Sequence, residues 1–228
     1  METETRDFTE VPLLPTQLLR EQDFAGEIVG GVVFDGELIW VSHPASGGLL
    51  GTHPDSGEVV RELSIPHPGT GLAWDGSQLW NVSNEEGSIR RIDPKTGEVT
   101  RRLPLPGQGF HTGLAWDGEA LWIAIIGEKT VHKLDPESGK VLRSIVSDRY
   151  VTGVCWVGGE LWHGCVAEQP MTAVAESELR HIDSSTGVVQ KRLHVDAAVS
   201  GLDSDGSRFF CGDCTRGALR VVSGLDCD

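Results

Sequence analysis

Apolar and polar positions alternate over short stretches of this chain, and Asp-Gly interrupts the alternation at regular intervals. One phrase recurs five times, at spacings of 40, 42, 40 and 48 residues. Its copies are GVVFDGELIW from Gly31, GLAWDGSQLW from Gly71, GLAWDGEALW from Gly113, GVCWVGGELW from Gly153 and GLDSDGSRFF from Gly201. A period of two predicts strands, and Asp-Gly supplies the positive φ angles of a tight turn. Each copy therefore predicts a β-hairpin.

A second phrase follows each of the first four copies and ends in Gly57, Gly97, Gly139 and Gly187. In it, Pro or Ser presets a turn and Gly takes the left-handed position of a longer hairpin loop. Each unit thus contains four short strands, named a to d from the inside outwards. Four antiparallel strands every 40 to 48 residues predict an all-β fold, a five-bladed β-propeller of four-stranded blades.

The fifth copy leaves room for strands a, b and c but not for d. Residues 16–20 stand where a d strand would precede Gly31, so we expect this N-terminal strand to complete the last blade and close the ring. The predicted organisation is a tail of residues 1–15 followed by a single propeller domain over residues 16–228.

All seven tryptophans fall in two columns of the repeat. Trp74, Trp116 and Trp156 share the first column with Phe34, and Trp40, Trp80, Trp122 and Trp162 share the second with Phe210. Rings at such positions pack between neighbouring blades. We therefore favour core packing over an aromatic ligand cage for both columns.

The net charge of the chain limits the classes of molecule that it can bind. With 34 acidic and 19 basic residues the formal net charge is −15, which repels nucleic acid and anionic membrane surfaces. No apolar run is long enough to cross a bilayer, and the polar N-terminus does not resemble a secretory signal. The five cysteines are an odd number, as in a reduced protein. We expect a cytoplasmic protein with no nucleic-acid or membrane partner, although the mature part of an exported precursor would have the same features.

The candidate site lies on the irregular face, where the d-to-a and b-to-c loops meet, since the opposite face repeats the same turns. Before each a strand stands a small residue: Gly30, Thr70, Thr112, Thr152 and Ser200. These could ring the channel or only satisfy backbone groups at strand starts. The b strands end in His43, Ser83, Ile125, Cys165 and Asp213. A His, a Cys and an Asp that converge could form a nucleophile with its base or a metal site, whereas separate side chains would only pack.

Three further features bear on this face. The b-to-c loop of the fourth unit, residues 166–177, is longer than the others and could act as a lid or as neutral surface variation. Cys211 and Cys214 form a C-x-x-C pair without the second pair of a zinc site, and alternation points them to opposite faces of a strand. Cys155 shares a column with Val33, Ala73, Ala115 and Asp203, which suggests packing of small residues.

The phrases GLAWDGxxLW and IDPxTGxV resemble those of bacterial propellers of the glutamine cyclotransferase-like and virginiamycin B lyase-like groups, over nearly the whole chain. The first resemblance implies five blades and cyclisation of N-terminal glutamine by an acidic residue at the channel mouth. Phe110–Leu114 echo that group's Phe-Thr-Gln-Gly-Leu segment, whereas Ile123–Ile126 replace its Tyr-Glu-Ser-Thr strand. The second resemblance implies opening of a cyclic ester by a His base, with bound magnesium.

Together these features predict an enzyme that performs acid–base chemistry, of the lyase, cyclotransferase or hydrolase type, on a small polar metabolite or peptide at the channel mouth. The alternative is a non-catalytic propeller that binds a ligand or a protein. The candidate catalytic residues are His43, His111, His163 and Cys165. The candidate substrate-binding residues are Thr70, Asn84, Glu86, Thr112, Tyr150, Thr152, Glu168, Asp213 and Arg216. A divalent metal ion is the one cofactor considered, and no metal ligands are assigned.

Overall fold

The computed structural model describes residues 11–25, 28–43, 47–167 and 177–224 of the chain. Their strands form five antiparallel blades, as the repeat predicts. Blade 1 contains β3 (Val32–Phe34), β4 (Ile39–His43), β5 (Gly48–Thr52) and β6 (Val59–Ser64). Blade 2 contains β7 (Leu72–Trp74), β8 (Leu79–Ser83), β9 (Ser88–Ile92) and β10 (Val99–Pro104). Blade 3 contains β11 (His111–Trp116), β12 (Leu121–Ile125), β13 (Thr130–Leu134) and β14 (Val141–Val146).

The last two blades involve the N-terminal segment. Blade 4 contains β15 (Tyr150–Val157), β16 (Glu160–Val166), β17 (Glu178–Ile182) and β18 (Val189–His194). Blade 5 contains β19 (Val199–Ser204), β20 (Arg208–Asp213), β21 (Ala218–Ser223) and β2 (Leu18–Asp23). Within the described ranges there is no helix long and apolar enough to span a membrane.

Closure of the ring by an N-terminal strand is confirmed. β2 pairs antiparallel with β21 and supplies the missing d strand, two residues later than the sequence suggested. Leu13–Pro15, assigned above to the tail, form β1, which pairs in parallel with β18 of blade 4. Arg192 Nη1 also donates a hydrogen bond to Val11 O at 3.0 Å. The N-terminal segment that contains β1 and β2 thus pairs with the outer strands of blade 4 and blade 5. The folded domain therefore begins before residue 16.

The Asp-Gly turn explains the second tryptophan column. In blade 3, Asp117 Oδ1 accepts the backbone N–H groups of Glu119 and Ala120, and Oδ2 accepts the Trp122 indole N–H at 2.8 Å. Lys133 Nζ lies 2.7 Å from Asp117 Oδ2 and 5.4 Å from the Trp122 ring centroid. Blade 2 repeats this unit with Asp75, Trp80 and Arg91. The Asp carboxylate thus binds the backbone of the turn, the Trp indole of the second strand and a basic side chain of the third strand.

The first aromatic column packs against the second across the blade boundaries. Trp156 of blade 4 stacks on Trp122 of blade 3, with 6.3 Å between ring centroids and 11° between ring planes. Phe34 of blade 1 lies 5.6 Å from Phe210 of blade 5. These rings join the apolar clusters between blades, in agreement with the expected packing role.

A ring of five glycines brings the a strands into backbone contact. They are the first residues of the repeated phrase: Gly31, Gly71, Gly113, Gly153 and Gly201. A Cβ atom added to any of them would lie 2.4 to 2.7 Å from an atom of the next blade. No side chain fits at that distance, so the repeat needs glycine here. The a strands of neighbouring blades therefore lie close together at these glycines.

Candidate functional site

The column of b-strand ends is buried in the blades. Its members are His43, Ser83, Ile125, Cys165 and Asp213. The His43 ring lies 5.6 Å from the Phe24 ring. Asp213 Oδ1 accepts the backbone N–H groups of Thr215 and Arg216, and Oδ2 lies 2.8 Å from Arg216 Nη1. These residues share a depth in the fold, but none of them lines the central cavity described below. Asp213 and Arg216 are thus joined to each other within one turn.

The Cys165 thiol is unsuited to nucleophilic chemistry at neutral pH. Burial raises its pKa to about 12, although Arg180 acts in the opposite direction. A thiol is nucleophilic only as the thiolate. Burial also raises the pKa of Cys211 to about 12, and all described cysteines are free. The four described thiols therefore stay protonated in this fold.

His163 belongs to the boundary between blades 3 and 4. It is buried and borders a small gap with Val131 and Ile145. Burial and the nearby Arg180 lower its pKa to about 4. The imidazole is therefore neutral at neutral pH and packs between the blades.

Three of the predicted residues do come together, at the boundary between blades 2 and 3. Asn84 Nδ2 donates to His111 O at 2.8 Å and to Thr70 Oγ1 at 3.2 Å. The His111 backbone N–H donates to Asn84 Oδ1 at 2.9 Å, and His111 Nε2 lies 2.6 Å from Pro106 O. The His111 side chain is buried. This cluster ties the d-to-a loop before blade 3 to blade 2.

The hydroxyl column serves the joints between blades. Thr70 Oγ1 donates to His111 O at 2.6 Å, and Thr112 Oγ1 donates to Val151 O at 3.1 Å. Ser200 Oγ donates to Val29 O at 2.5 Å. Each bond runs from one blade to the backbone of the next. The geometry thus matches the alternative that these hydroxyls satisfy backbone groups. Thr152 Oγ1 is buried without a hydrogen-bond partner among the described residues.

The charged residues of this face form structural ion pairs. Glu86 lies 3.1 Å from Arg90 and 3.6 Å from Arg102. Burial alone would raise the pKa of Glu178, but hydrogen bonds from Arg192 and Arg180 hold it at about 2. Both carboxylates are thus matched by arginines.

Sequence reasoning missed a column of buried arginines in the c strands. Arg90, Arg180 and Arg220 occupy equivalent positions in blades 2, 4 and 5, and each reaches the loop that enters its own blade. The contacts are Arg90 to Pro66 O and His67 O, Arg180 to Asp148, and Arg220 to Asp196. The signal was present, since an Arg follows an aliphatic residue in three aligned c strands. These arginines fix the loops of the irregular face.

Three further predictions for this face concern Tyr150, Glu168 and a bound metal ion. Tyr150 is partly buried and Lys129 Nζ lies 4.4 Å from its ring centroid. Glu168 lies outside the described residues. Within residues 11–25, 28–43, 47–167 and 177–224, no group of three or more His, Cys, Asp or Glu side chains is arranged to hold a metal ion. These described residues therefore offer no set of ligands for the divalent metal ion considered above.

The central cavity lies at the other end of the channel, beside the Asp-Gly turns. Its volume is about 110 Å³, and the ends of the a strands from all five blades line it. The aromatic part of its wall consists of Phe34, Trp74, Trp116 and Trp156, which are partly buried. A cavity of this size has room for several water molecules or one small ligand.

Asp203 places an ionisable carboxyl group in the wall of this cavity. It lines the wall at the position that other blades give to Val33, Ala73 and Ala115. Asp203 Oδ2 accepts the Phe34 backbone N–H at 2.6 Å, which fixes the carboxyl in blade 5 against blade 1. Burial raises the pKa of Asp203 to about 7, although hydrogen bonds from Phe34 and Ser204 act against it. A carboxyl in an apolar column is a site signal that the interpretation as small-residue packing overlooked.

No protein-family model matches this chain, and no curated protein does. Among solved structures, a glutaminyl cyclase from Myxococcus xanthus matches with a TM-score of 0.72 and 16% identity, over 94% of this chain and 100% of that one. A catalytically inactive virginiamycin B lyase from Staphylococcus aureus with quinupristin matches with a TM-score of 0.50 and 17% identity, over 86% of this chain and 66% of that one.

The WD40 β-propeller domain of Doa1 matches with a TM-score of 0.52 and 11% identity, over 92% of this chain and 98% of that one. At these identities the likeness concerns the fold. The expected resemblance to the cyclase and lyase propellers is thereby confirmed for the architecture. This chain is a five-bladed β-propeller that shares its fold with enzymes and with a WD40 domain.

Proposed function

We propose that this protein is an enzyme that performs acid–base chemistry on a small polar molecule in the central cavity, with Asp203 as the proton-transfer group. The observation that carries the proposal is the Asp203 carboxyl on the cavity wall, held by the Phe34 N–H. A group whose pKa lies near the working pH transfers protons most effectively in both directions, and that of Asp203 is about 7.

The proposed acid–base chemistry is the reaction class that the sequence predicts. We now assign it to the central cavity and not to the irregular face. His163, Cys165 and Asp213 are buried in blades or committed to ion pairs, so the irregular face offers no group among them that is poised to exchange a proton. The matches to a glutaminyl cyclase and a virginiamycin B lyase support small-molecule chemistry by analogy of fold. In the reaction, the Asp203 carboxylate would accept a proton from the substrate and the resulting carboxylic acid would return it to the product.

The test is a mass-spectrometric screen of turnover. Peptides with N-terminal glutamine, cyclic esters and small amino esters are incubated with the wild type, with Asp203→Asn and with Glu119→Gln. Glu119 is an exposed acid at the same end of the ring, which makes it a matched control. We expect Asp203→Asn to lose at least about 100-fold in rate and Glu119→Gln to keep full activity.

The pH profile of any activity should bend near pH 7, where Asp203 titrates. Activity that survives in Asp203→Asn would contradict the proposed role. A ligand that binds but is never converted would favour the alternative of a non-catalytic binding propeller.

A further inference from the structure

We propose that the central cavity binds the head group of a small organic cation, a primary or methylated ammonium. The inference names the ligand class for the cavity of the proposed function and rests on it. Binding can be measured without turnover, so the two ideas can fail separately.

The cavity carries an acidic group that no basic side chain of its wall balances. Among the buried or half-buried acids, Glu178 meets Arg180 and Arg192, and Asp117 meets Lys133. Among the described residues, no Lys, Arg or His acts on the Asp203 carboxyl, and no basic side chain lines the cavity. Asp203 is half-buried, and a nearby opposite charge favours the ionised form of a carboxyl, so the site favours a ligand that brings a positive charge.

Four aromatic residues belong to the wall of the cavity. Phe34, Trp74, Trp116 and Trp156 come from four different blades and surround the cavity that holds Asp203. Trp156 also stacks on Trp122, and Phe34 packs on Phe210, so their rings are held in place from behind. Aromatic residues and a carboxylate in one cavity wall are a combination that recognises ammonium groups, because aromatic rings attract cations. An anion would meet repulsion from Asp203 and no donor of positive charge.

The size and position of the cavity suit the head group of a small ligand. About 110 Å³ accommodates an ammonium head with a few carbon atoms. The five glycines stand at the other end of the a strands, where a Cβ added to any of them would lie 2.4 to 2.7 Å from the next blade. The residues that line the cavity stand beside the Asp-Gly turns, so we expect the ligand to enter from that side.

Isothermal titration calorimetry with choline and with its neutral isostere 3,3-dimethylbutan-1-ol tests the inference. We expect the wild type to bind choline at least about tenfold more tightly than the neutral alcohol. Asp203→Asn should abolish this preference, and Glu119→Gln should leave it intact. Trp116→Phe, which keeps a ring in the core, should weaken choline binding without abolishing it.

Choline affinity should rise about tenfold between pH 6 and pH 8 in the wild type and stay constant in Asp203→Asn, because binding requires the carboxylate. Equal binding of choline and the alcohol, or choline binding that Asp203→Asn retains, would overturn the inference. Turnover without a preference for cations would sink the inference and leave the proposed function standing. Choline binding without any turnover would do the reverse.

Discussion

Asp203 shows how a single residue sets a pH dependence for the whole fold. Its pKa is about 7 in the folded chain, whereas an unfolded Asp has a pKa of about 3.9. Between these values the folded state holds one more proton than the unfolded state, so this group makes stability fall as the pH rises from about 4 to 7. His163, whose pKa is lowered to about 4, acts in the opposite direction up to about pH 6.5.

The effect of Asp203 can be measured as the difference in the free energy of unfolding between the wild type and Asp203→Asn. Asp203→Asn keeps an oxygen for the Phe34 N–H and removes the titration. We expect it to match the wild type at pH 4 and to be more stable at pH 8 by roughly 1–3 kcal/mol, discounted for the open cavity. Urea unfolding at both pH values measures this. A constant difference across the range would show that Asp203 titrates normally in the fold.

At the scale of the element, the Asp-Gly hairpin is a unit whose acid, ring and cation act together. Asp117→Ala removes the acceptor of two backbone N–H groups, of the Trp122 indole and of Lys133. We expect a loss of about 2–4 kcal/mol in the free energy of unfolding. Glu119→Ala, in the same turn, should change it by less than about 0.5 kcal/mol. Similar losses in both variants would mean that Asp117 does not organise the turn.

The closing strand gives a second test at this scale. Phe24 N donates to Gly217 O at 2.9 Å, so alternation along β2 directs the Gln22 N–H towards β21 as well. Gln22→Pro should therefore cost about 3 kcal/mol or more, whereas Gln22→Ala should cost less than about 1 kcal/mol. Thermal unfolding of both variants decides the matter. If proline were tolerated as well as alanine, β2 would contribute little to closure.

The elements could be predicted from sequence because their signals are local and repeated. Asp-Gly, the tryptophan columns and the missing fifth d strand each predict strands and their order. The site could not be predicted in the same way, since alignment within a repeat gives the depth of a side chain and not its surroundings. His163 and Cys165 align with chemistry-bearing positions yet lie in dry interior. Asp203 was visible as an acid among small apolar residues, but only the lining of the cavity shows what it faces.

At the scale of the whole molecule, the glycine ring couples the five blades. Each a strand touches the next one through backbone atoms, and the hydroxyls of Thr70, Thr112 and Ser200 bridge to the following blade. The glycines lie at the start of the a strands, and the cavity with Asp203 lies at the other end of these strands. Because every blade depends on two neighbours and β2 joins the ends, we expect the propeller to unfold as one unit.

Gly113→Ala tests this coupling at a single contact. The added Cβ would lie 2.4 Å from Val154 N, so blades 3 and 4 must separate or distort. We expect a loss of about 3 kcal/mol or more, with tryptophan fluorescence and circular dichroism still reporting one common transition. Gly127→Ala is the control, because no atom lies within 4 Å of its added Cβ and its φ is not positive. An unchanged midpoint in Gly113→Ala would refute direct backbone contact, and two separate transitions would show that the blades unfold independently.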